Sequence, residues 1–353
     1  MADDSFDFAI LGATPLAVLV AGLLAEHGKS VCLVGEPFSP FRLQRSLDIS
    51  IAPLTRPESL ILLKGAATET GRLLAGWGKG NTSRVDPLFI AEQSDSIAAL
   101  GHFRQLAIAL GYAVEPVVDR TVGEGQIMRV RDALMLAQGR FEPAAEAWLS
   151  RLAVSRFDQA GTALSIRKDG IARLTAGGRT IEAQHAALLS DEAILRYLPV
   201  ETLDRSLVRL PASTSLLEGR RVSAPYICYL DRGIVLGQEP KSTSLTAIVT
   251  GTPETARARL GGTIARSSPV RLAGETVLPL LRTTDGAPFV GPARGLRATL
   301  VTALGPASAF LAPVIARHLL GTAAPDEATW LAARGPGRGN QRLAVSDFAP
   351  VPA

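Results

Sequence analysis

The sequence predicts an α/β protein in which a parallel-sheet domain, assembled from separate segments, carries an inserted domain rich in β-strands. Two stretches predict the parallel sheet, residues 6–36 and residues 283–321, and they lie toward the two ends of the 353-residue chain. Short apolar runs separated by turn residues, as in residues 226–237, predict the strands of the inserted domain. The alternation of strands and helices at both ends indicates crossover connections rather than hairpins alone.

The first stretch reads as strand, tight turn, helix and strand. Phe8–Leu11 is an apolar run that ends at Gly12, a helical pattern covers 16–27, and residues 31–34 form a second buried strand after Gly28. A unit of this length joins two parallel strands through a helix. It is the opening of a Rossmann-like, dinucleotide-binding fold.

The glycine fingerprint of that fold is incomplete here. The usual pattern is G-x-G-x-x-G, followed by an acidic residue roughly 20 positions later. Its three glycine positions hold Gly12, Thr14 and Ala17. Thr14 has two interpretations that the sequence leaves open. It is a helix N-cap with Pro15 at the first helical position, or its hydroxyl binds a phosphate.

The same stretch has some features of a membrane or signal segment. Residues 8–25 carry no charge over about 18 residues, the lower limit for a membrane span. However, Gly12 and Pro15 interrupt this run, and three acidic residues precede it in place of a basic leader: Asp3, Asp4 and Asp7. We therefore expect neither a signal peptide nor an integral membrane segment.

Composition excludes several other classes. The net charge is +4 and the arginines are scattered, so a nucleic-acid groove is not expected. Cys32 and Cys228 lie in predicted buried strands, which favours reduced thiols and a cytoplasmic location. The four histidines are dispersed, so no metal site is predicted.

The remaining elements follow from periodicity and turn residues. We expect helices near 71–77 and over 94–111, 139–154, 255–266 and 307–320, and strands over 87–91, 112–118, 185–190, 226–230, 234–236, 245–249 and 298–303. Residues 133–137 are an apolar run. Residues 164–181 alternate around the turn sequences KDG (168–170) and AGG (176–178), which indicates hairpins. The tail from Ala333 is rich in Gly, Pro and Arg and is expected along the surface.

Five motifs in this order resemble one enzyme superfamily. They are ILGATPLA (10–17), GRFEPAAEAWLSRLAV (139–154), KDGIARLTAGGRTIEAQHAALLS (168–190), YICYLDRGIVLG (226–237), and TTDGAPFVGP (283–292) followed by VTALGPASAFLAPVIARHLLG (301–321). Their order resembles the D-amino-acid-oxidase superfamily of FAD-dependent oxidoreductases, which includes glycine and sarcosine oxidases. The last motif is the most specific. The match covers nearly the whole chain, as spacing more than as identities.

The resemblance implies a domain plan. An FAD/NAD(P)-binding Rossmann-like domain would comprise residues 1–85, 130–205 and 285–345. A sheet-rich substrate or cap domain would comprise residues 86–129 and 206–284, and residues 346–353 would form a tail.

The resemblance also implies FAD and a set of cofactor-binding residues. Amides at the first turn would hold the diphosphate at a helix N-terminus, and the closing helix at Ala307 would face the pyrimidine edge of the flavin. The positions that match are Gly12, Ala13, Thr14, Pro15, Glu36, Arg45, Ser46, Ser190, Gly286, Gly305, Pro306, Ala307 and Ser308.

The implied reaction is hydride transfer from a small amine or amino-acid substrate to the flavin. The family's substrate-binding arginine would align near Leu280, and Arg282 lies two positions later, on the same side of a strand. Arg282 is thus the candidate catalytic residue, as a clamp for a substrate carboxylate. A solvated arginine at a strand end is the other interpretation. Asp285 is expected to shape the turn with Gly286 rather than to act as a base.

Four departures from the family pattern support an alternative function. Besides Thr14, the acidic ribose-binding position falls on Gly35, with Glu36 one place late. Residues 190–192, Ser-Asp-Glu, replace a small glycine-containing segment, and the turn 305–308 keeps a single glycine. The alternative is a catalytically inactive member of the fold that has lost FAD or holds it weakly and serves as a binding protein or partner subunit. An NAD-linked enzyme is less favoured, because the closing motif resembles the flavin group.

Overall fold

The computed structural model describes residues 4–39, 42–167, 171–176, 178–219, 221–240, 242–264, 270–338 and 347. The α-helices of these residues are α1 (Pro15–Glu26), α2 (Pro57–Gly76), α3 (Ser94–Ala109), α4 (Gln138–Arg151), α5 (Asp191–Tyr197), α6 (Pro253–Ile264), α7 (Ala312–Leu320) and α8 (Pro325–Ala332). Short 3₁₀-helices cover Gln159–Gly161, Val200–Thr202 and Gly305–Leu311.

The strands form three sheets. Their bounds are β1 (Asp4–Leu11), β2 (Val31–Gly35), β3 (Thr82–Val85), β4 (Leu88–Ala91), β5 (Val114–Val117), β6 (Gln126–Val130), β7 (Ala133–Leu136), β8 (Ser155–Asp158), β9 (Thr162–Ile166), β10 (Ala172–Ala176), β11 (Arg179–Leu188), β12 (Leu207–Gly219), β13 (Tyr226–Tyr229), β14 (Ile234–Gly237), β15 (Ser244–Thr250), β16 (Val270–Thr283), β17 (Phe289–Pro292) and β18 (Thr299–Thr302). Strands β3 and β7 pair with each other as a separate small sheet.

The first sheet has the order β17-β18-β11-β1-β2-β8, and β9 and β10 extend it from β11 as antiparallel strands. Its central strand β1 runs parallel to both β2 and β11. Alternate residues of β1 enter different buried clusters: Ile10 packs with α1 and α7, and Leu11 packs with α5. A parallel sheet covered on both faces must be apolar on both, which explains the continuous apolar run in β1.

The second sheet has the order β16-β12-β15-β14-β13-β4-β6-β5 and is mostly antiparallel. Strands β12 and β16 pair over nearly their whole length, from Leu207 with Thr283 to Gly219 with Val270. One face packs on α6 through a cluster that includes Ile227 and Leu260. The other face turns its β14 and β15 side chains toward the first sheet, and the candidate site lies there.

Most predicted elements are confirmed, and the differences have physical reasons. Helix α8 and the long pair β12 and β16 were not predicted. In β12 the buried and exposed residues do not alternate, so the strand has no clear sequence signal. The closing helix is shorter than expected, because Gly305–Leu311 forms a 3₁₀-helix before α7 begins. The hairpins around β10 are confirmed, but the KDG turn and Gly177 lie outside the described residues.

In the described part of the tail, Ala333, Pro336 and Gly337 are exposed, as expected for a surface tail, but Arg334 and Asp347 are not. Arg334 is 1% exposed and Asp347 is fully buried. The Arg334 guanidinium lies over the ring of Trp330, 4.5 Å from its centroid, and binds the Asp347 carboxylate at 2.7 Å. Charged residues of a polar tail can be buried when they form an ion pair, because each supplies the counter-charge of the other.

Among the described helices, none is by itself both long and apolar enough to cross a membrane. One pair, Gly305–Leu320 with Pro325–Ala332, meets the criteria of length and composition together, but its two parts are bent by 93°.

Candidate functional site

A cavity of about 260 Å³ lies between the carboxyl ends of β1, β11 and β18 and the inner face of the second sheet. In parallel α/β sheets, ligands bind at this edge. Ten of the predicted site residues line the cavity: Ala13, Thr14, Arg45, Ser46, Ser190, Arg282, Gly286, Gly305, Pro306 and Ser308. Most of the remaining lining is aliphatic, and includes Leu47, Val235, Ile248 and Leu280.

Three other predicted residues border a second, smaller space. Gly12, Pro15 and Glu36 line a space of about 30 Å³ on the far side of the first turn. Ala307 is fully buried and lines neither space. The chain therefore brings most of the predicted residues together, in two spaces of unequal size.

Thr14 uses its hydroxyl within the protein. The oxygen accepts a hydrogen bond from the backbone N–H of Ala17 at 3.4 Å and donates one to the carbonyl of Leu189 at 3.2 Å. These contacts cap α1, as the simpler interpretation predicts. The backbone amides of Ala13, Thr14 and Leu16 have no hydrogen-bond partner within the described part of the chain. They are the groups that an anion could bind at this helix N-terminus.

Gly35 packs directly against the first turn. A Cβ at this position would lie 2.6 Å from the carbonyl oxygen of Gly12, closer than such atoms approach in proteins. An acidic side chain at the position that the family uses for the ribose is therefore sterically excluded. The neighbouring carboxylate of Glu36 is bound instead by Arg45, with both of its oxygens 2.9 Å from one guanidinium nitrogen.

Arg45 also binds Glu192, the third residue of the segment 190–192. The two ion pairs of Arg45 therefore link the loop after β2 to the start of α5, across the mouth of the first turn. Glu36 is shared with Arg42, which in turn binds Glu142 at 3.2 Å. The polar groups at this edge of the sheet are thus bonded to one another.

Asp191 is turned away from the first turn and is half-buried. Its carboxylate accepts hydrogen bonds from the backbone N–H of Leu281 at 2.8 Å and from the hydroxyl of Thr302. Burial raises its pKa to about 6, against these two hydrogen bonds. Asp191 therefore fixes the start of α5 to β16 and β18. Ser190 caps the same helix by accepting from the N–H of Ala193 at 3.2 Å.

A residue that the sequence reading missed, Asp48, holds the closing segment. One carboxylate oxygen accepts from the backbone N–H of Ala309 at 2.9 Å and from the hydroxyl of Ser308 at 2.8 Å. The other oxygen accepts from the hydroxyl of Ser46. Burial raises the pKa of Asp48, although its three donors act in the opposite direction. A lone acidic residue between the apolar residues Leu47 and Ile49 was the signal that could have identified it.

Arg282 lies near the end of β16 and lines the cavity next to Leu280, as expected. Asp285 behaves as predicted for a turn residue: its carboxylate accepts from the N–H of Ala287 at 3.1 Å and binds Arg338 at 2.6 Å. The intervening Gly286 has φ +68°, a conformation that favours glycine. The described residues contain no group of three or more His, Cys, Asp or Glu side chains that could hold a metal.

In this arrangement the residues present do not fit FAD. The carboxylate of Asp48 binds Ser308 and Ala309 of the closing segment, which the resemblance places beside the flavin. The Arg45 ion pairs cross the position implied for the diphosphate, and no side chain at residue 35 can reach a ribose. The cavity between the two sheets, at about 260 Å³, is below the roughly 300–1,000 Å³ typical of sites for drug-sized ligands, which are smaller than FAD. The assignment of individual residues to a cofactor stays a prediction.

Comparison of the sequence with protein-family models and with curated proteins gives no match. Solved structures do match the fold. Glycine oxidase from Geobacillus kaustophilus has a TM-score of 0.70 at 13% identity, over 91% of this chain and 96% of its own. L-proline dehydrogenase from P. horikoshii has a TM-score of 0.72 at 12% identity, over 94% and 97%. Iminodiacetate oxidase from Chelativorans sp. BNC1 has a TM-score of 0.66 at 16% identity, over 95% and 100%.

Each of these structural matches covers nearly the full length of this chain and of the matched protein, so it includes both sheets. The α/β fold class predicted from the sequence is confirmed. The chain therefore has the fold of the D-amino-acid-oxidase-like oxidoreductases, and the resemblance found in its sequence is confirmed at the level of the fold.

Proposed function

We propose that this protein binds a small amino-acid-like molecule in the cavity between its two sheets and does so without FAD. The observation that carries this proposal is Asp48, whose carboxylate is hydrogen-bonded to Ser308 and to the amide of Ala309. A flavin placed against Ser308 and Ala309 would have to displace this buried carboxylate and leave its three donors unpaired. Each unpaired buried donor costs about 1–3 kcal/mol.

The ligand class is inferred from the cavity and from the structural neighbours. The neighbours are named for glycine, proline and iminodiacetate, which are all amino acids or amino diacids. A cavity of about 260 Å³ with aliphatic walls accommodates a molecule of that size with an apolar side chain. The guanidinium of Arg282 at the wall is a suitable partner for its carboxylate.

The absorption spectrum of the purified protein and a titration with FAD test the cofactor part. We expect no flavin bands, before or after denaturation, and no saturable quenching of FAD fluorescence at micromolar concentrations. Flavin released in amounts close to one per chain would overturn the proposal.

Thermal unfolding in the presence of millimolar amino acids tests the ligand part. A ligand that binds only the folded state raises the midpoint temperature. We expect a rise with apolar amino acids and proline that is lost in Arg282→Gln. The matched control is Arg151→Gln, an exposed arginine at the end of α4 that borders neither space at the site. A rise that persists in Arg282→Gln would remove that residue from the carboxylate site.

A second candidate is an FAD-dependent oxidoreductase that transfers hydride from an amine or amino acid to the flavin. The unpaired amides of Ala13, Thr14 and Leu16 favour it, because they form an anion-binding helix N-terminus at the expected place. The fold likeness to amino-acid oxidases supports it as well. In this case the guanidinium of Arg45 would have to exchange its carboxylate partners for the diphosphate. The spectrum described above distinguishes the two candidates.

A further inference from the structure

A second depression adjoins the cavity through Leu281, which borders both. It lies between the segment 195–209 and the turn that joins β17 to β18, and its volume is about 340 Å³. Its apolar lining consists of Leu195, Val200, Leu203, Leu207 and Leu281. The volume is within the range of small-molecule sites, roughly 300–1,000 Å³.

Three arginines line this depression: Arg205, Arg209 and Arg294. All three residues are exposed, and their guanidinium groups make no hydrogen bond or ion pair to any residue that the structure describes. Elsewhere in the molecule, guanidinium groups such as those of Arg131 and Arg232 bind carboxylates. The guanidinium groups of this depression are therefore able to bind an anionic ligand from solution.

Two carboxylates also border the depression, and they do not neutralise it. Asp204 is committed to its own turn, since one oxygen accepts from the N–H of Ser206 at 2.9 Å and from its hydroxyl at 2.7 Å. Glu201 is exposed at the rim. Three arginines against two carboxylates leave an excess of one positive charge in the lining, and Arg297, exposed in the adjoining turn, adds another.

We propose that this depression binds an organic anion with an apolar body. Its carboxylate or phosphate group binds the guanidinium groups of Arg209 and Arg294, which come from β12 and from the β17–β18 turn. Guanidinium groups bind such anions through paired, charge-assisted hydrogen bonds. The apolar body lies on the leucines of the floor, where its burial adds a favourable hydrophobic contribution. An arginine cluster over an apolar floor selects against both inorganic anions and uncharged apolar molecules.

Phenyl phosphate is a suitable probe, because it combines a dianion with a small apolar ring. Binding is measured on the full chain at low ionic strength by calorimetry and by ligand-observed NMR. We expect a millimolar or tighter dissociation constant, weakened about tenfold in Arg209→Gln and in Arg294→Gln. Arg151→Gln, remote from the depression, should bind like the original protein. High salt should weaken binding, because exposed charges are screened.

Three results would overturn the proposal. One is equal binding of benzyl alcohol, which lacks the charge. Another is binding that is lost in Arg282→Gln but unchanged in Arg209→Gln and Arg294→Gln, which would place the probe in the cavity between the sheets. The third is the absence of saturable binding at millimolar concentrations. Far-ultraviolet circular dichroism of each variant confirms that loss of binding does not reflect loss of folding.

Discussion

The carboxylate of Asp48 and the backbone N–H of Ala309 are joined by a hydrogen bond of 2.9 Å. Buried backbone N–H groups need an acceptor, and Ala309 lies buried within the 3₁₀-helix Gly305–Leu311. Asp48, from the loop after β2, satisfies one of these groups in the closing segment and accepts from Ser308 as well. The carboxylate thus connects the loop after β2 to the closing segment, far apart in the chain, and stability should depend on it.

Asp48→Ala should reduce the free energy of unfolding by about 2–4 kcal/mol, because one buried amide and two half-buried hydroxyls lose their acceptor, and an unpaired buried donor costs about 1–3 kcal/mol. Because the surrounding structure relaxes, the total loss should be smaller than the sum of the three individual costs. The Asp48→Asn variant keeps one side-chain acceptor oxygen, so its stability should decrease less. Urea unfolding measures both variants. Equal, negligible losses would show that the carboxylate does not hold the closing segment.

Asp191 should make stability depend on pH. Its folded-state pKa is raised to about 6 by burial, above the ordinary value of an aspartate. The folded protein therefore binds a proton more readily than the unfolded chain between about pH 4 and pH 6. The contribution is fully present below the unfolded pKa and is lost as pH rises through about 6.

Asp191→Asn tests this dependence, because an amide cannot titrate and can still bond to Leu281 and Thr302. The free energy of unfolding is measured at pH 5 and pH 7 for both proteins. The decrease between these values should be smaller in Asp191→Asn, by about 1 kcal/mol or more, since one pKa unit corresponds to 1.36 kcal/mol. Other buried acids titrate in both the original protein and the variant. The difference between their two decreases therefore reports on Asp191 alone. Identical decreases would contradict the assignment.

Gly35→Ala should destabilise the protein by about 1–3 kcal/mol, the usual cost of overpacking. The added Cβ would lie 2.6 Å from the carbonyl oxygen of Gly12, and a backbone atom cannot move aside cheaply. Gly65→Ala is the matched control. Gly65 lies within α2 with open space around the added Cβ, so alanine should stabilise the helix by up to about 1 kcal/mol. Chemical unfolding of both variants checks these opposite signs, and a tolerated alanine at residue 35 would refute the close contact.

Asp347→Asn should destabilise the protein strongly, by about 3–5 kcal/mol, because it leaves the buried Arg334 guanidinium with only the exposed carboxylate of Glu58, 3.4 Å away. The two groups are 2.7 Å apart, and Arg56 lies on the other side of the carboxylate at 3.4 Å. Thermal unfolding measures the effect. The double variant Asp347→Asn with Arg334→Met should recover part of the loss, because it removes the unpaired charge. A single variant with unchanged stability would show that the tail contact is dispensable.

Much of the architecture could be predicted because it is encoded locally. The first crossover follows from a buried run, a helical period and Gly28, and these signals lie within a few residues of one another. The pairing of β12 with β16 could not be predicted in this way, since it joins residues more than 50 positions apart. For the site, the sequence identified the cavity lining around Thr14, Arg45 and Gly305 but missed Asp48.

The sequence by itself determined the N-cap of α1, because a hydroxyl followed by proline at the first helical position needs no distant partner. It also determined the α/β class and the order of the motifs. Only the tertiary structure decided where the charged side chains of the site would point. Arg45 binds Glu192 and Asp48 binds the amide of Ala309 across 147 and 261 positions of the chain respectively. Such pairs form because burial requires each polar group to find whichever partner the fold brings close.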